Sequence, residues 1–434
     1  MPEWGEIVIL IDTMLDIKFI KENADLIKEA ARKKHVTFNL DDLISVDNKR
    51  LLILSEIEAL RAKQNASNGL VARATSEGEK SRILHEMKLL KDDLTRKEDE
   101  YKELVGHWRE LMLTVPNIPD ISVPEGASDA ENVEVRTWGT IPEFSFEPKS
   151  HIELMQKHDM LDLERGTKVA GFRGYFLKND GARLQYALWS FVQDFFNKKQ
   201  EFIPMIVPSL VRREVFMGTG YLPQGEDDLY RTQDNEYLAG TAEVATMGYF
   251  MDEIVDKKSL PMKMISFSPC FRREAGSHGK DTKGLIRVHE FYKFEQVVLC
   301  EASHEESVKH HEEITKYAEE MLQALEIPYH VVANCGGDLG LGQVKKYDIE
   351  AWLPSEGKYR ETNSASYFHD FQTRRLNIRY KDDDGKLKFV HSLNNTAMSG
   401  RPLIMIIENY QQADGTIKVP KVLVSYMGKE IIGN

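Results

Sequence analysis

The sequence predicts an α+β protein: an N-terminal antiparallel two-helix coiled-coil arm, then a larger domain on a mainly antiparallel β-sheet flanked by helices. Two long apolar heptad runs before residue 113, a proline-rich break after it, and many short β-rich runs beyond residue 150 predict this layout.

The first heptad run steps through Leu43, Val46, Ile53, Ile57 and Leu60, with Arg50 and Gln64 at interrupted seam positions. The second is cleaner, with Ile83, Met87, Leu90, Leu94, Lys97, Tyr101, Leu104, Trp108 and Leu111 alternating spacings of four and three. Between them NASNGLVARATSEGEK carries the Asn, Ser and Gly residues of a chain reversal. At about 1.5 Å per residue, helices of roughly 28 residues project about 40 Å. Residues 61–97 hold nine Lys+Arg against five Asp+Glu, a local net of +4, whereas the whole chain of 434 residues carries −13. On charge alone two readings stand: solvated flanks of a coiled coil, or a basic arm that touches a large polyanion through its phosphates.

Bulk charge excludes a general nucleic-acid or anionic-membrane coat, so any polyanion is met locally. Three cysteines, Cys270, Cys300 and Cys335, form no C-x-x-C pair and make neither a disulfide framework nor a sulfur-rich zinc site. IVILI at 7–11 is too short for a membrane span, and a reducing cytoplasm is the simplest compartment.

TVPNIPDISVPEG and the polar stretch that follows read as a linker over 114–150. From 151 to 434, MIVPSLV, MKMISFS, EQVVLC, YHVVAN, KYDIEAWLP, LNIRY and KVLVSY read as strands, and EESVKHHEEITKYAEEMLQAL as a helix. GDLGLGQV, from Gly337, has a phosphate loop's glycine spacing but lacks its Lys and Ser/Thr.

The stretch CFRREAGSHGKDTKGLIRVHEFYKFE, residues 270–295, differs in kind. Two β-prone flanks bracket a glycine-rich loop as in a long hairpin, so Arg272 and Arg287 approach one site from adjacent strands. Arginine there holds a carboxylate or phosphate bidentately, and Phe291 offers a face on which a base can stack. Taken alone, the segment is equally readable as a surface hairpin with ion pairs.

With GTGYLP (218–223), Thr241-Ala242-Glu243, YRETNSASYFHDFQTRR and HSLNNTAMSGRPLIMIIENYQQADG, the chain from Met14 onward resembles the seryl-tRNA synthetases, class II aminoacyl-tRNA synthetases, of the non-zinc, bacterial-like type. The 270–295 stretch matches the family's motif 2 and the last segment its motif 3. The resemblance implies a class II catalytic domain over 151–434 behind a tRNA-binding arm domain over 1–113. It also implies a two-step reaction: serine and ATP give seryl-adenylate and pyrophosphate, then tRNA(Ser), and tRNA(Sec) where one exists, takes the seryl group. ATP and Mg2+ would be required and no zinc. A homodimer built by motif 1 around Pro208 is implied, and no membrane association.

Residue by residue, the resemblance assigns Arg272 to the α-phosphate and the serine carboxylate, Glu274 to the adenine, and Phe291 to stacking on it. Arg287 and Val288 would complete the ATP site, and Arg401 would hold the far phosphates. Glu361 and Ser364 would help bind Mg2+. Thr241, Glu243, Glu295 and Thr396 would form the serine pocket, with Asn394 close to it. Arg272, Glu361 and Arg401 would carry the chemistry. Charge neutralisation where two anions must meet is what such a reaction needs, with no protein nucleophile.

Two departures are visible. Motif 3 usually has one more residue between the positions of Thr396 and Arg401, so a tightening at Ser399-Gly400 is expected to keep the Arg401 guanidinium aimed inward. Residues 1–13 precede the usual family start, Met14 opening MLDIKF as an initiator would. Two other classes compete: a non-catalytic synthetase paralogue that binds tRNA, and an amino acid ligase acting on a carrier protein. Loss of the ATP arginines would favour the first and lack of a basic arm the second; this chain keeps both the arginines and the arm.

Overall fold

The computed structural model describes residues 16–71, 75–276, 279 and 281–433. The N-terminal extension at 1–13, the proposed initiator Met14 and the loop-tip His278 lie outside the described residues. Contacts divide the chain into two compact units, one of Val36–Pro116 with the helical segment up to Arg32, the other of Asn117 onward with Lys33–His35.

In the first unit, α1 (Ile17–Glu22) and α2 (Ala24–Lys33) precede the long pair α3 (Leu40–Val71) and α4 (Glu77–Leu113). Ser76 caps α4 by accepting from the Glu79 amide at 3.2 Å. The heptad positions Leu43, Val46, Ile53, Ile57, Ile83, Leu94, Tyr101 and Trp108 are buried, joined by Val105 and Met112. Polar seam residues find partners: Lys97 meets Glu56 across the helix pair at 2.7 Å. Arg50 bonds Asp47 at 2.7 Å and lies over the Trp108 ring. These contacts offset the desolvation that a charged residue on an apolar seam costs.

The second unit is an eight-stranded sheet with helices against it. Its strands are β1 (Val133–Trp138), β2 (Phe202–Ile206), β3 (Met262–Phe271), β4 (Glu290–Cys300), β5 (Tyr329–Ala333), β6 (Lys345–Leu353), β7 (Lys358–His369) and β8 (His391–Met398). Their order is β1-β5-β6-β7-β8-β4-β3-β2, every pair antiparallel except β2 with β3. β2 carries Pro204, which an edge strand tolerates because one side donates no ladder bond. Within 114–150, β1 pairs with β5 as the opposite edge.

The helices used below are α5 (His151–Lys157), α6 (Asn179–Asn197), α7 (Ala242–Tyr249), α8 (His304–Ala324), α9 (Phe371–Arg375), α10 (Arg401–Asn409) and α11 (Val424–Met427). One core joins Leu188 and Phe191 of α6, Val331, Ile349 and Ala365 of the sheet, and Ile404 and Met405 of α10. A second cluster packs Val244 and Met247 of α7 against Val297 and Leu299 of β4.

Three strand expectations fail in whole or in part. MIVPSLV breaks at Val207–Ser209 around Pro208, with β2 ending at Ile206 and a two-residue strand at Leu210–Val211 joining another sheet. KVLVSY forms a 3-10 turn at Lys421–Leu423 and then α11, ended by Gly428 in the left-handed region. A short apolar run fits strand or helix equally, and the left-handed glycine decides for helix. LNIRY is a strand only from Arg379, because α9 runs to Arg375.

Candidate active site

The hairpin expected around the glycine-rich loop is present as β3 and β4, in register from Phe271 opposite Glu290 to Met262 opposite Leu299. Arg272 and Arg287 lie just beyond the paired strands, not on them. The Arg272 amide donates to the His289 carbonyl at 2.9 Å, continuing the ladder by one rung. Arg272 Nη2 donates to the Gly240 carbonyl at 3.3 Å, and the guanidinium lies 5.3 Å from the Phe291 ring centroid.

Beyond Arg272 the chain turns sharply, with Glu274 at a φ of 56° that non-glycine residues seldom adopt. Asp228 fixes the turn: its carbonyl accepts from the Arg273 amide and its carboxylate from the Ala275 amide at 2.8 Å. The Glu274 carboxylate accepts from Arg287 at 2.6 Å. Burial opposes the charge of Arg287, yet bonds to Glu274 and the charge of Asp281 raise its pKa further.

Two β-bulges aim side chains. Between β4 and β8 the register slips at Phe294/Glu295, leaving Ala397 as the extra residue, so Thr396 stands opposite Glu295 and Asn394 opposite Val297. Between β6 and β7 the slip leaves Thr362 extra, so Glu361 faces Glu350 and Ser364 faces Asp348. Cross-strand partners share a face, so the bulge brings Glu361 and Ser364 to one side of the sheet.

β8 ends at Met398, and Ser399-Gly400 lead straight into α10 at Arg401. The Arg401 amide donates to Ser399 Oγ at 3.4 Å. Its guanidinium donates to the Glu361 carbonyl at 2.6 Å and to the Ile286 carbonyl at 3.3 Å, and lies 3.2 Å from the Glu361 carboxylate. Partial loss of water around its carboxyl raises the Glu361 pKa, but Arg401, Lys346 and Arg272 outweigh it and hold the carboxyl below its usual range.

Arg272, Glu274, Arg287, Val288, Phe291, Glu361, Thr396 and Arg401 all line one cleft. It continues past Arg287, Glu361 and Arg401 into a polar cavity of about 340 Å³ that Lys346, Asp348 and Arg360 help to line. Thr241, Glu243 and Glu295 form a buried cluster that meets the cleft at Thr396. Glu295 Oε2 lies 3.4 Å from Thr241 Oγ1 and 3.5 Å from Thr396 Oγ1. Thr241 caps α7, and Glu243 accepts from Tyr221 at 2.8 Å and Gln372 at 2.7 Å. Burial, with Glu295 nearby, raises the Glu243 pKa. Asn394 is buried on the Thr396 face of β8 but, among the described residues, no hydrogen bond joins it to this cluster, and neither it nor Ser364 lines the cleft.

Sequence reasoning missed Lys293, whose ammonium meets Glu295 and donates to Thr241 Oγ1 at 2.9 Å. Alternation along FYKFE, with Phe291, Lys293 and Glu295 on one face, was the available signal. It also missed Tyr221 and Gln372, which stand within the quoted segments GTGYLP and YRETNSASYFHDFQTRR without having been singled out, and Lys346 and Asp348, which lie on β6 outside those segments. Among the described residues, no group of three or more His, Cys, Asp or Glu is spaced to hold a metal ion, and no helix is long and apolar enough to cross a membrane.

This site sits within a chain of close relatives. Residues 14–119 match the seryl-tRNA synthetase N-terminal domain, and 226–410 the tRNA synthetase class II core domain for G, H, P, S and T. The serine–tRNA ligase of Deinococcus radiodurans is 44% identical, covering 97% of this chain and 99% of the relative. That of Petrotoga mobilis is 44% identical, covering 97% of this chain and 100% of the relative. Among solved structures, seryl-tRNA synthetase from Pyrococcus horikoshii complexed with ATP superposes with a TM-score of 0.87 at 39% identity, covering 96% of this chain and 99% of that one. The cytoplasmic enzyme of Naegleria fowleri in complex with AMP gives 0.83 at 31% identity, covering 96% and 98%. The chain belongs to the seryl-tRNA synthetase family of class II aminoacyl-tRNA synthetases, and its activity is that of a serine–tRNA ligase.

Proposed function

We propose that the cleft binds ATP and serine side by side, joins them as seryl-adenylate with release of pyrophosphate, and then passes the seryl group to a ribose hydroxyl at the end of tRNA(Ser), or of tRNA(Sec). The observation that carries this reading is the convergence of Arg272, Arg287 and Arg401 on one cleft whose floor opens, at Thr396, onto a buried cluster of ammonium acceptors. A serine carboxylate oxygen attacks the α-phosphorus, so two anions must approach, and fixed guanidinium charges lower the cost of that approach.

In this reading Arg272 bridges the carboxylate and α-phosphate, Phe291 stacks on the adenine, Glu274 and Val288 flank it, and Arg401 holds the far phosphates. Glu295, Thr241 and Thr396 take the ammonium and hydroxyl of serine, with Glu243 and Asn394 shaping the pocket. Alanine leaves a buried polar group unpaired, and threonine must be rejected by size.

Mg2+ suits the oxygen donors here: Glu361 is half exposed, and Ser364 shares its face of β7. A hard cation that keeps waters and binds phosphate needs only one or two protein oxygens. When bound it would neutralise phosphate charge, with Glu361 and Ser364 as its holders. No zinc enters this reading.

Residues 1–113 then serve as the tRNA-binding arm domain, 114–150 as a connecting segment that lends β1 to the sheet, and 151–434 as the catalytic domain. Lys63, Lys80, Lys88 and Lys91 of the arm form no ion pair among the described residues, leaving their charge for phosphate. A homodimer would cover edge strand β2, where Ile203 and Ile206 are 50% and 89% exposed. The cytoplasm is the compartment this reading requires.

A non-hydrolysable seryl-adenylate analogue tests the site. Calorimetry is expected to show tight binding, one analogue per subunit, weakened by about a hundredfold or more in Arg272→Ala and in Glu295→Ala. Equal affinity for a glycyl analogue, or full affinity in both variants, would refute it.

A further inference from the structure

Lys293 sits where no empty amino acid pocket requires a lysine. Only 5% exposed, it stands between Phe291 and Glu295 on one face of β4. Its ammonium forms an ion pair with the Glu295 carboxylate, donates to Thr241 Oγ1 at 2.9 Å and lies 3.5 Å from Thr396 Oγ1. A primary ammonium has three donors, and these three groups match them one for one. The cluster is therefore a complete ammonium site, filled by the chain itself, and the side chain that fills it also lines the cleft.

We propose that Lys293 is an internal stand-in for the substrate's α-ammonium, one that serine must displace to bind. The inference rests on the serine-pocket reading above and adds a specificity device to it. Glu295 is 2% exposed, and an unpaired carboxylate there is costly, so the lysine keeps the empty pocket charge-balanced. An amino acid brings its own ammonium and takes over all three acceptors. A hydroxy acid without an amine leaves Lys293 in place and is excluded.

Once released, the Lys293 side chain has the cleft to move into, beside Arg272 and Phe291. The carboxylate and α-phosphate gather there, so the displaced cation adds to the charge that draws them together. Binding at the ammonium site thereby couples to assembly of the anion site, through the same side chain.

The probe is L-serinamide, which has the ammonium and hydroxyl of serine but no carboxylate to activate. Its affinity is measured by calorimetry on the wild-type full chain and on Lys293→Met, with 3-hydroxypropanamide as the control lacking an ammonium. If the lysine holds the pocket in about nine molecules of ten, removing it tightens serinamide binding about tenfold, because affinity scales with the competent fraction. The control amide should not tighten, and the kcat for serine-dependent ATP/pyrophosphate exchange should fall in the same variant. Unchanged or weaker serinamide binding in a folded Lys293→Met would overturn the proposal.

Wild-type exchange with serine separates this from the underlying reading. Absent exchange refutes the serine pocket, whereas normal exchange with unaltered serinamide affinity refutes the role of Lys293 alone. Should Lys293→Met fail to fold, a crystal structure of the wild-type protein with serine decides: Lys293 Nζ withdrawn from Thr241 supports displacement, and Nζ still bound there contradicts it.

Discussion

Arg401 grips Glu361 twice, through the main-chain carbonyl at 2.6 Å and the carboxylate at 3.2 Å. Ser399-Gly400 carry the chain from β8 into α10 without slack, and the guanidinium reaches the cleft. Arg401→Ala is expected to lower the rate of adenylate formation by about 10²–10³, the usual loss for one fixed transition-state charge. Arg401→Lys should recover little, since one ammonium cannot serve the Glu361 and Ile286 carbonyls and a phosphate together. Single-turnover measurement of both variants checks this, and normal activation by Arg401→Ala would refute it.

The same helix grips motif 2 at its other end. Glu408, fully buried, accepts from the His151 amide at 2.7 Å and pairs with His151 Nδ1 at 2.8 Å, while His151 Nε2 accepts from the Leu285 amide at 3.3 Å. Leu285 adjoins Ile286, whose carbonyl Arg401 binds, so α10 clamps this limb of the loop from both ends. Glu408→Ala strands the His151 and Ser355 amides and should cost about 3–5 kcal/mol in urea unfolding. His151→Ala, milder in stability, should raise the KM for ATP more than that for serine.

Acid should destabilise the catalytic unit through buried neutral histidines. Burial drives the His311 pKa down to about 4, its Nε2 donating to the Ala365 carbonyl at 3.0 Å, and burial with neighbouring His391 and His304 lowers His369 to about 3. The unfolded chain binds these protons first. The stability they contribute is therefore complete above about pH 6.5 and lost as pH falls towards 4, about 3 kcal/mol for His311 alone. His311→Gln can keep the bond to Ala365 without titrating. Its unfolding free energy should fall less steeply between pH 6.5 and 4 than that of the wild type; equal slopes would contradict the assignment.

The arm and the cleft should be separable. Replacing Lys63, Lys88 and Lys91 together by alanine is expected to raise the KM for tRNA and to flatten its salt dependence by about one slope unit per lost phosphate contact. ATP/pyrophosphate exchange, which needs no tRNA, should stay at the wild-type level. Unaltered tRNA charging in the triple variant would remove these lysines from the interface.

The arm was readable because a coiled coil writes its contacts in a local repeat: Ile53, Ile57, Leu94 and Trp108 are buried where the spacing places them. The β3–β4 hairpin was readable for the same reason, since alternation and a glycine-rich loop are local. What bulges do was not readable. The extra residues Ala397 and Thr362 bring Thr396 opposite Glu295 and Glu361 to the face of Ser364, and neither shift leaves a mark in composition or period. Tyr221 and Gln372 stand in segments already quoted, but their bonds to Glu243 span 22 and 129 residues, and that of His151 to Leu285 spans 134, so the pairings left no local signal. KVLVSY was misread although Gly428, just past it, carried the helix-stop signal.

Serine-dependent ATP/pyrophosphate exchange tests the central claim most directly, with threonine, alanine and glycine run in parallel. The account predicts rapid exchange with serine, and at least about a hundredfold lower kcat/KM for each of the others. No exchange with serine, or comparable exchange with alanine, would contradict it.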